Sequence, residues 1–519
     1  MKASRFHRGC ACCELNRRQF LAAGCAACAA ATGFAASEQP ARAAANNKKT
    51  RIQILYSLHA PKQPRPDWPN VGFDFQPVMD RITGTLAERF ADFEFVAAMA
   101  NGPEEAGKIL DADKSADGYL VYQMNCWNRV VQTVAASGKP TLYADFQYGG
   151  SGGFLVYTAG FLRKAAPNLG FVASSDFEDL VAAVQCFKSV ENAADFAAAV
   201  ARVRTQRTPK PGDLSCKPDQ LAALTPQECL AKMKQSKMLT VGGGWPDIIP
   251  AIRSEMGIEV VDVPYAELNA AWEAADKDES IAIADRWQKA AAKVEGVARE
   301  TLIQSAAMYL AQKAILAKHG ANAITINCLG GFYGGHIHAY PCLGFHELLN
   351  EGLVGACECD KRSTATMVAM TALTQGRPGF ISDPVIDTSS RQIIYAHCVA
   401  SNRVFGPEGP ANPFEILTHS EDRQGASLRS TMPLGYMTTT VEFAPERKTI
   451  LFHQGKAVAN STDDRACRTK LAVEPVGDVE KLFAQWDQWG WHRVTVYGDL
   501  KEPVFALADL LKWKVLEEA

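Results

Sequence analysis

Short apolar runs alternate with amphipathic stretches through the first third of the chain. RIQILYSL (51–58), FEFVAAMA (93–100), GYLVYQM (118–124) and PTLYADF (140–146) predict strands, and the segments between them, such as EEAGKILDA, predict helices. Strands that alternate with helices at this spacing are typical of a parallel sheet with helices on both faces. We therefore predict an α/β domain over residues 50–205. YGGSGGF (148–154) follows the last of these strands, where ligands bind, and predicts a flexible lid.

The same alternation returns over residues 236–355. KMLTVGGGWPDIIPAI (237–252), GIEVVDVPYAEL (257–268) and NAITINCLGG (322–331) each begin with a predicted strand, so we expect a second Rossmann-like domain. GGGWPD resembles a phosphate loop only superficially, since it lacks the Lys-Ser/Thr pair of a P-loop and the dinucleotide spacing. A plain turn from strand to helix is the better interpretation.

Strands dominate the last third, residues 356–519. RQIIYAHCVA, TTTVEF, KTILFHQGKAVAN, KLAVEPV and HRVTVYGD predict an antiparallel sheet or a small barrel. The predicted fold class is therefore α/β: two parallel-sheet Rossmann-like domains followed by a β-rich C-terminal domain.

The first 45 residues differ from the rest. Arg17 and Arg18 precede Gln-Phe-Leu and a mildly apolar, Ala-rich run, and ARA (41–43) supplies the small residues that a signal peptidase accepts. This resembles a twin-arginine signal peptide, which implies the twin-arginine export machinery as a partner and a periplasmic or other extracytoplasmic location. Ten cysteines follow this leader without a CxxC pair, and buried free thiols are the expected state, although an oxidising compartment permits disulfides.

The composition changes this picture little. Of 519 residues, 47% are hydrophobic and 21% charged, as in ordinary globular proteins, and the net charge is −3. Because no basic tract is present, nucleic acid is excluded as an expected partner.

Candidate chemistry begins at GACECDKRSTATM (355–367). Asp360 precedes an amphipathic helical pattern and predicts an N-cap, whereas Glu358 falls at a strand end that faces a cleft. Asp383 follows the helix in GRPGFISDP, and His397 lies in the next predicted strand. Two carboxylates and an imidazole from successive elements suit a divalent cation such as Mn²⁺ or Mg²⁺.

The order of ACECD, a helix, TQGRPGFISD and a strand with AHC resembles the C-terminal half of the L-fucose/L-arabinose isomerase superfamily. The resemblance implies an L-fucose isomerase-like fold, a homo-oligomer, a sugar or sugar acid as substrate, and a divalent metal, with Mn²⁺ expected. It also implies that Glu358 and Asp383 are catalytic acids that bind the metal, and that His397 is a third ligand. Such enzymes interconvert aldoses and ketoses by enediol proton transfer, which carboxylates beside a metal can support.

The chain also departs from that family. The family has a further ligand histidine in a short loop before the last strands, and the comparable stretch 463–475 contains none. Arg468 and Lys470 stand there instead, and we expect them either to bind an anionic substrate or to pair with Asp463 and Asp464.

Three other histidines are candidates. His453 could replace the missing ligand, and His336 and His338 follow a Gly-rich turn, where a substrate-binding and a structural role are equally compatible with the pattern. The leading hypothesis is a metal-dependent aldose–ketose isomerase. The alternatives are a non-catalytic exported carbohydrate-binding protein on the same scaffold and, third, an exported oxidoreductase.

Overall fold

The computed structural model describes residues 48–243 and 247–519. The predicted export signal, residues 1–45, lies outside the described residues, as do residues 244–246 of the GGGWPD turn. No helix within the described ranges is long and apolar enough to cross a membrane. The segment Lys49–Ala519 forms one compact unit, so the predicted domain boundaries inside it remain predictions.

The first parallel sheet is confirmed. Five parallel strands have the order β2-β1-β3-β4-β5. Along the chain these strands alternate with helices, which cover both faces of the sheet. The elements are β1 (Thr50–Ser57), α1 (Gln76–Arg89), β2 (Phe93–Ala100), α2 (Pro103–Ala112), β3 (Gly118–Gln123), α3 (Val130–Ala135), β4 (Thr141–Asp145), α4 (Ser151–Arg163), β5 (Leu169–Val172), α5 (Phe177–Val184), α6 (Cys186–Ser189) and α7 (Phe196–Arg207).

The second parallel sheet is also confirmed, with four strands in the order β10-β9-β6-β7. Its elements are α8 (Pro226–Gln235), β6 (Lys237–Val241), α9 (Ile249–Ala251), a π-helical turn (Ile252–Met256), β7 (Glu259–Val263), α10 (Tyr265–Glu273), α11 (Lys277–Ala290), α12 (Arg299–His319), β9 (Ala323–Ile326), α13 (Cys328–Tyr333), α14 (Cys342–Asn350) and β10 (Val354–Ala356). Strand β8 (Lys293–Glu295) leaves this sheet and joins two strands from the last third, β13 (Phe414–Leu417) and β14 (Ser427–Ser430).

The last third forms a closed barrel. Seven strands have the order β15-β18-β11-β12-β17-β16-β19, and pairing of β15 with β16 closes the sheet, which removes most exposed edges. Its elements are α15 (Lys361–Leu373), β11 (Phe380–Asp387), β12 (Gln392–His397), β15 (Met437–Ala444), β16 (Thr449–Asn460), β17 (Thr469–Pro475), β18 (Arg493–Tyr497), α16 (Lys501–Leu511) and β19 (Lys514–Glu517).

The predicted lid at YGGSGGF is wrong. Gly150 and Gly152 belong to the start of the well-packed helix α4, and a Cβ on Gly150 would lie 2.0 Å from the carbonyl oxygen of Gln123. A Cβ on Gly152 would lie 2.9 Å from the Cys126 sulfur. These glycines therefore permit close packing of a helix start rather than loop motion.

Candidate metal centre

Three strands of the barrel and one turn outside it bring two carboxylates and two imidazoles together. In the antiparallel pair β11–β12, Asp383 lies opposite Ala396, the neighbour of His397. Strand β18 pairs with the other side of β11, with Arg493 opposite Ser382, so His492 enters the same end of the barrel. Glu358 reaches this point from the turn between β10 and α15.

The four side chains are within contact distance. Nε2 of His397 lies 3.6 Å from Oε1 of Glu358, and Nε2 of His492 lies 3.5 Å from Oε2 of Glu358. The same nitrogen of His492 is 3.2 Å from Oδ1 of Asp383. One ligand atom each from Glu358, His397 and His492 lie within 4.8 Å of one another. The structure thus brings together all three residues predicted as metal ligands and adds a fourth.

The backbone at Glu358 is unusual. Glu358 and Cys359 both have positive φ, 64° and 50°, in the left-handed region that residues with a Cβ rarely occupy. The backbone N–H of Glu358 points to the sulfur of Cys328 at 3.4 Å. Strained conformations of this kind concentrate at functional sites, where the surrounding structure must hold them.

Asp360 has two roles. Its carboxylate accepts a hydrogen bond from the backbone N–H of Ser363, which confirms the predicted N-cap of α15. Its Oδ2 also lies 2.9 Å from Nδ1 of His492. A carboxylate on the far nitrogen of an imidazole fixes the ring and leaves Nε2 free to bind a metal.

Buried ring nitrogens without partners fit a metal ion. Both nitrogens of His397 and Nε2 of His492 make no hydrogen bond, and both residues are almost fully buried. Such orphaned polar atoms are rare unless an ion or water binds them. Two imidazoles with carboxylates form a donor set that suits a divalent cation, so these residues would hold such an ion.

The site concentrates charge in a dry environment. Burial, with the nearby Asp383 carboxylate, raises the pKa of Glu358 to about 8, although His492 opposes this. Burial lowers the pKa of His397. Burial also disfavours the charged form of His492, but Glu358 and Asp360 outweigh it and raise the pKa of His492 well above its ordinary value.

Glu358, Asp383 and His492 line a cavity of about 720 Å³. This volume is within the usual range for small-molecule sites, roughly 300–1,000 Å³. Three tryptophans, Trp68, Trp127 and Trp491, line it together with the acids Glu358 and Asp383. The indole N–H of Trp491 donates to Oδ1 of Asp383.

The four predicted substrate-binding residues are outside the lining of this cavity. His336 and His338 are exposed, and their rings lie against Tyr265 and Trp272, with centroids 5.6 and 5.4 Å apart. Their substrate-binding role stays a prediction.

Arg468 and Lys470 are both buried. Nε of Arg468 donates to the carbonyl of Thr418 at 2.7 Å. The guanidinium of Arg468 also pairs with Asp464, which was the expected alternative to binding an anionic substrate. Nζ of Lys470 donates to the carbonyl of Asp463 at 2.6 Å. An anionic substrate would have to displace these bonds, and a substrate-binding role for either residue stays a prediction.

His492 is the residue that sequence reasoning missed. The missing ligand was sought in 463–475 and in His453, but His453 contacts Tyr395 and Glu518 inside the barrel. His492 directly precedes the penultimate strand of the barrel, in WGWHRVTVY. The available signal was a histidine at the start of a β-patterned run near the C-terminus.

No known family model matches the chain. The chain is 26% identical over 216 residues to a sulfoquinovose isomerase of Clostridium sp. (strain MSTE9), which covers 40% of this chain and 46% of that protein. It is 24% identical over 197 residues to a sulfoquinovose isomerase of Priestia aryabhattai, covering 37% and 42%, and 22% identical over 211 residues to that of Alkalicoccus urumqiensis, covering 40% and 46%. The chain thus matches less than half the length of these curated relatives, and what it resembles over that part is a sugar isomerase.

Proposed function

We propose that this protein is a metal-dependent aldose–ketose isomerase that acts on a hexose derivative. The observation that carries the proposal is the convergence of Glu358, Asp383, His397 and His492 at one end of the barrel, inside a cavity of suitable size. Similarity to proteins named sulfoquinovose isomerase supports it independently. The same similarity gives no support to the non-catalytic carbohydrate-binding alternative.

Different residues of the site would serve proton transfer and metal binding. When bound, a divalent cation would stabilise the negative charge that develops on the sugar oxygens at C1 and C2. Glu358 and Asp383 both line the cavity, and each is a candidate to take the proton from one carbon and return it to the other. Asp383 is oriented by the indole N–H of Trp491, while His397 and His492 would hold the cation.

The tryptophans of the cavity wall also serve the chemistry. Trp68, Trp127 and Trp491 line part of the cavity, and a sugar bound against them would displace water, which strengthens electrostatic interactions with a developing oxyanion. It also slows exchange of the transferred proton with solvent, so substrate-derived hydrogen retained in the product would support proton transfer by a shielded carboxylate.

The test combines metal analysis with turnover. The protein is stripped with a chelator, reloaded with Mn²⁺, Mg²⁺, Co²⁺ or Zn²⁺, and assayed for ketose formation from sulfoquinovose, D-glucose and L-fucose. We expect activity only after reloading, and loss of activity with near-native folding in Glu358→Gln. His492→Gln should lower bound metal from about one ion per chain to a small fraction, because it removes one of the ligands.

Matched controls define the outcome. Glu300→Gln changes an exposed glutamate of α12, and His319→Gln changes a histidine that pairs with Glu267 far from the cavity lining. Both should retain activity and metal. Equal turnover in Glu358→Gln and Glu300→Gln would refute the proposed role of Glu358.

We also propose export of the folded protein through the twin-arginine pathway, on the strength of Arg17 and Arg18 in the leader. Replacement of both by lysine should retain the unprocessed chain in the cytoplasm of a bacterial host. Detection of processed protein in the periplasm of that variant would contradict the proposal.

A further inference from the structure

One arginine on the cavity rim lacks an acidic partner. Arg65 is exposed and lines the same cavity as Glu358 and Asp383. The polar atom nearest to its guanidinium is Nε2 of His59, at 3.4 Å, but that nitrogen also lies 3.0 Å from Oδ2 of Asp67. An ionised carboxylate can only accept, so Nε2 of His59 must donate to Asp67 and cannot accept from Arg65.

The other charged groups of the cavity are engaged. The remaining cations are Lys361, which is 6% exposed and interacts within the protein, and Arg362, which pairs with Glu446. The acids outside the metal cluster also have partners, which are His59 for Asp67, His492 for Asp360 and Tyr333 for Glu421. Arg65 is therefore an exposed cationic group of this cavity whose hydrogen-bond donors are available to a ligand, whereas the Nε of Arg362, which has no partner among the described residues, is buried.

An aromatic wall connects this rim to the metal cluster. Trp127 is 52% exposed and has a left-handed φ of 66°, and its ring meets Trp491 edge-on with centroids 5.9 Å apart. Tyr157 packs against Trp127 from another side, with centroids 6.3 Å apart. Because Trp491 donates to Asp383, the wall extends from a proposed catalytic acid to the cavity mouth.

The wall suits the carbon skeleton of a sugar. The face of an indole carries negative potential and attracts the weakly positive C–H groups of an apolar sugar face. A substrate whose C1 and C2 lie at Glu358 and Asp383 would extend its other end along Trp491 and Trp127, toward the rim on which Arg65 lies.

We propose that Arg65 binds an anionic substituent at the end of the sugar remote from C1 and C2, with Trp127 as a stacking surface in the same cavity. The inference rests on the proposed isomerase function and names its substrate class: hexoses that carry a sulfonate or carboxylate at C6. A guanidinium matches such oxyanions because it offers two parallel N–H donors.

The test separates charge recognition from catalysis. For wild type and Arg65→Gln, kcat/KM is measured with sulfoquinovose, D-glucuronate and the neutral D-glucose, after reloading with metal. We expect Arg65→Gln to lose about tenfold to a hundredfold on the anionic sugars, the range of a hydrogen-bonded charge, and to keep its activity on D-glucose. A greater loss on sulfoquinovose than on D-glucuronate identifies the sulfonate as the preferred anion, and the reverse identifies the carboxylate.

Controls exclude general effects. Arg202→Gln removes the same charge from an exposed position on α7 and should change neither activity. Trp127→Phe should keep more activity than Trp127→Ala on every sugar, since it keeps an aromatic face.

Failure of this inference can be told from failure of the proposed function. An equal loss on D-glucose and the anionic sugars, or a wild-type preference for D-glucose, would overturn the role of Arg65 and leave the isomerase intact. If the wild type isomerises none of the sugars, the proposed function fails. Calorimetric titration with sulfoquinovose and its neutral analogue 6-deoxy-D-glucose then decides: tighter binding of sulfoquinovose that Arg65→Gln abolishes supports the inference, and equal or undetectable binding overturns it.

Discussion

Replacement of Glu518 by Gln should destabilise the barrel end that carries the metal cluster. Glu518 forms a buried ion pair with Arg493, in which Nη2 of Arg493 lies 2.7 Å from Oε1 of Glu518. The side chain of Glu518 is 1% exposed and that of Arg493 is 0% exposed. Burial works against the charged carboxylate, but the Arg493 charge outweighs it and lowers the pKa of Glu518 from its ordinary value of 4.5 to about 2. Nη1 of Arg493 donates to the carbonyls of Gly490 and His492, so the pair braces the loop that carries His492.

The magnitude follows from that pKa. A depression of roughly 2.5 units at about 1.36 kcal/mol per unit corresponds to about 3 kcal/mol of stability at neutral pH. Removal of one partner from a buried ion pair costs about 3–5 kcal/mol in other proteins, which agrees. Because the folded pKa is the lower one, this contribution is complete above pH 4.5 and declines as the pH falls toward 2.

The assay is urea unfolding of wild type and Glu518→Gln, followed by tryptophan fluorescence at pH 7 and at steps down to pH 3.5. The control is Glu517→Gln, which breaks the half-exposed pair with Lys501 and should cost at most about 1 kcal/mol. We expect a gap of about 3 kcal/mol at pH 7 that narrows below pH 4.5. A gap no larger than that of the control, or one that widens with acid, would refute the reasoning.

Two further predictions concern the surroundings of the metal cluster. Asp360→Asn should preserve the N-cap of α15 but weaken metal binding about 10- to 100-fold, because it loses the charge that orients His492. Asp360→Ala should weaken metal binding and also cost about 1 kcal/mol of stability, because it removes the N-cap. A metal titration that shows no change in either variant would contradict this. Gly152→Ala should cost about 1–3 kcal/mol and weaken sugar binding, because its Cβ would lie 2.9 Å from the sulfur of Cys126 and 3.2 Å from the ring of Trp491. Gly84→Ala, in an exposed helix with open space around it, should instead raise the thermal midpoint, and the same direction for both would show that the contacts at Gly152 do not matter.

The elements of the fold could be predicted from sequence because local pattern determines them. The strands of both parallel sheets are apolar runs in the sequence, and amphipathic segments separate these runs. The N-cap at Asp360 can be predicted from the helical pattern that directly follows it. Pairing between distant strands carries no such local signal. The association of β8 with β13 and the closure of the barrel by β15 and β16 both depend on long-range register.

The same distinction explains which candidate ligands the sequence could indicate. Glu358, Asp383 and His397 belong to successive elements, and their order along the chain is itself a pattern that a resemblance can carry. His492 joins them only because β18 pairs with β11 across a long stretch of chain, with Arg493 opposite Ser382.

The sequence left two alternatives open at Arg468 and Lys470 for a related reason. A basic residue near a predicted site can bind an anion or satisfy backbone carbonyls, and the sequence contains no measure of which groups remain unsatisfied. In the structure Arg468 and Lys470 both donate to backbone carbonyls. Arg65 lies in a polar loop outside the predicted motifs, lines the cavity and has hydrogen-bond donors that no acceptor of the described residues uses. Availability of hydrogen-bond donors, rather than charge near a motif, is therefore the physical criterion on which we propose Arg65 for anion recognition.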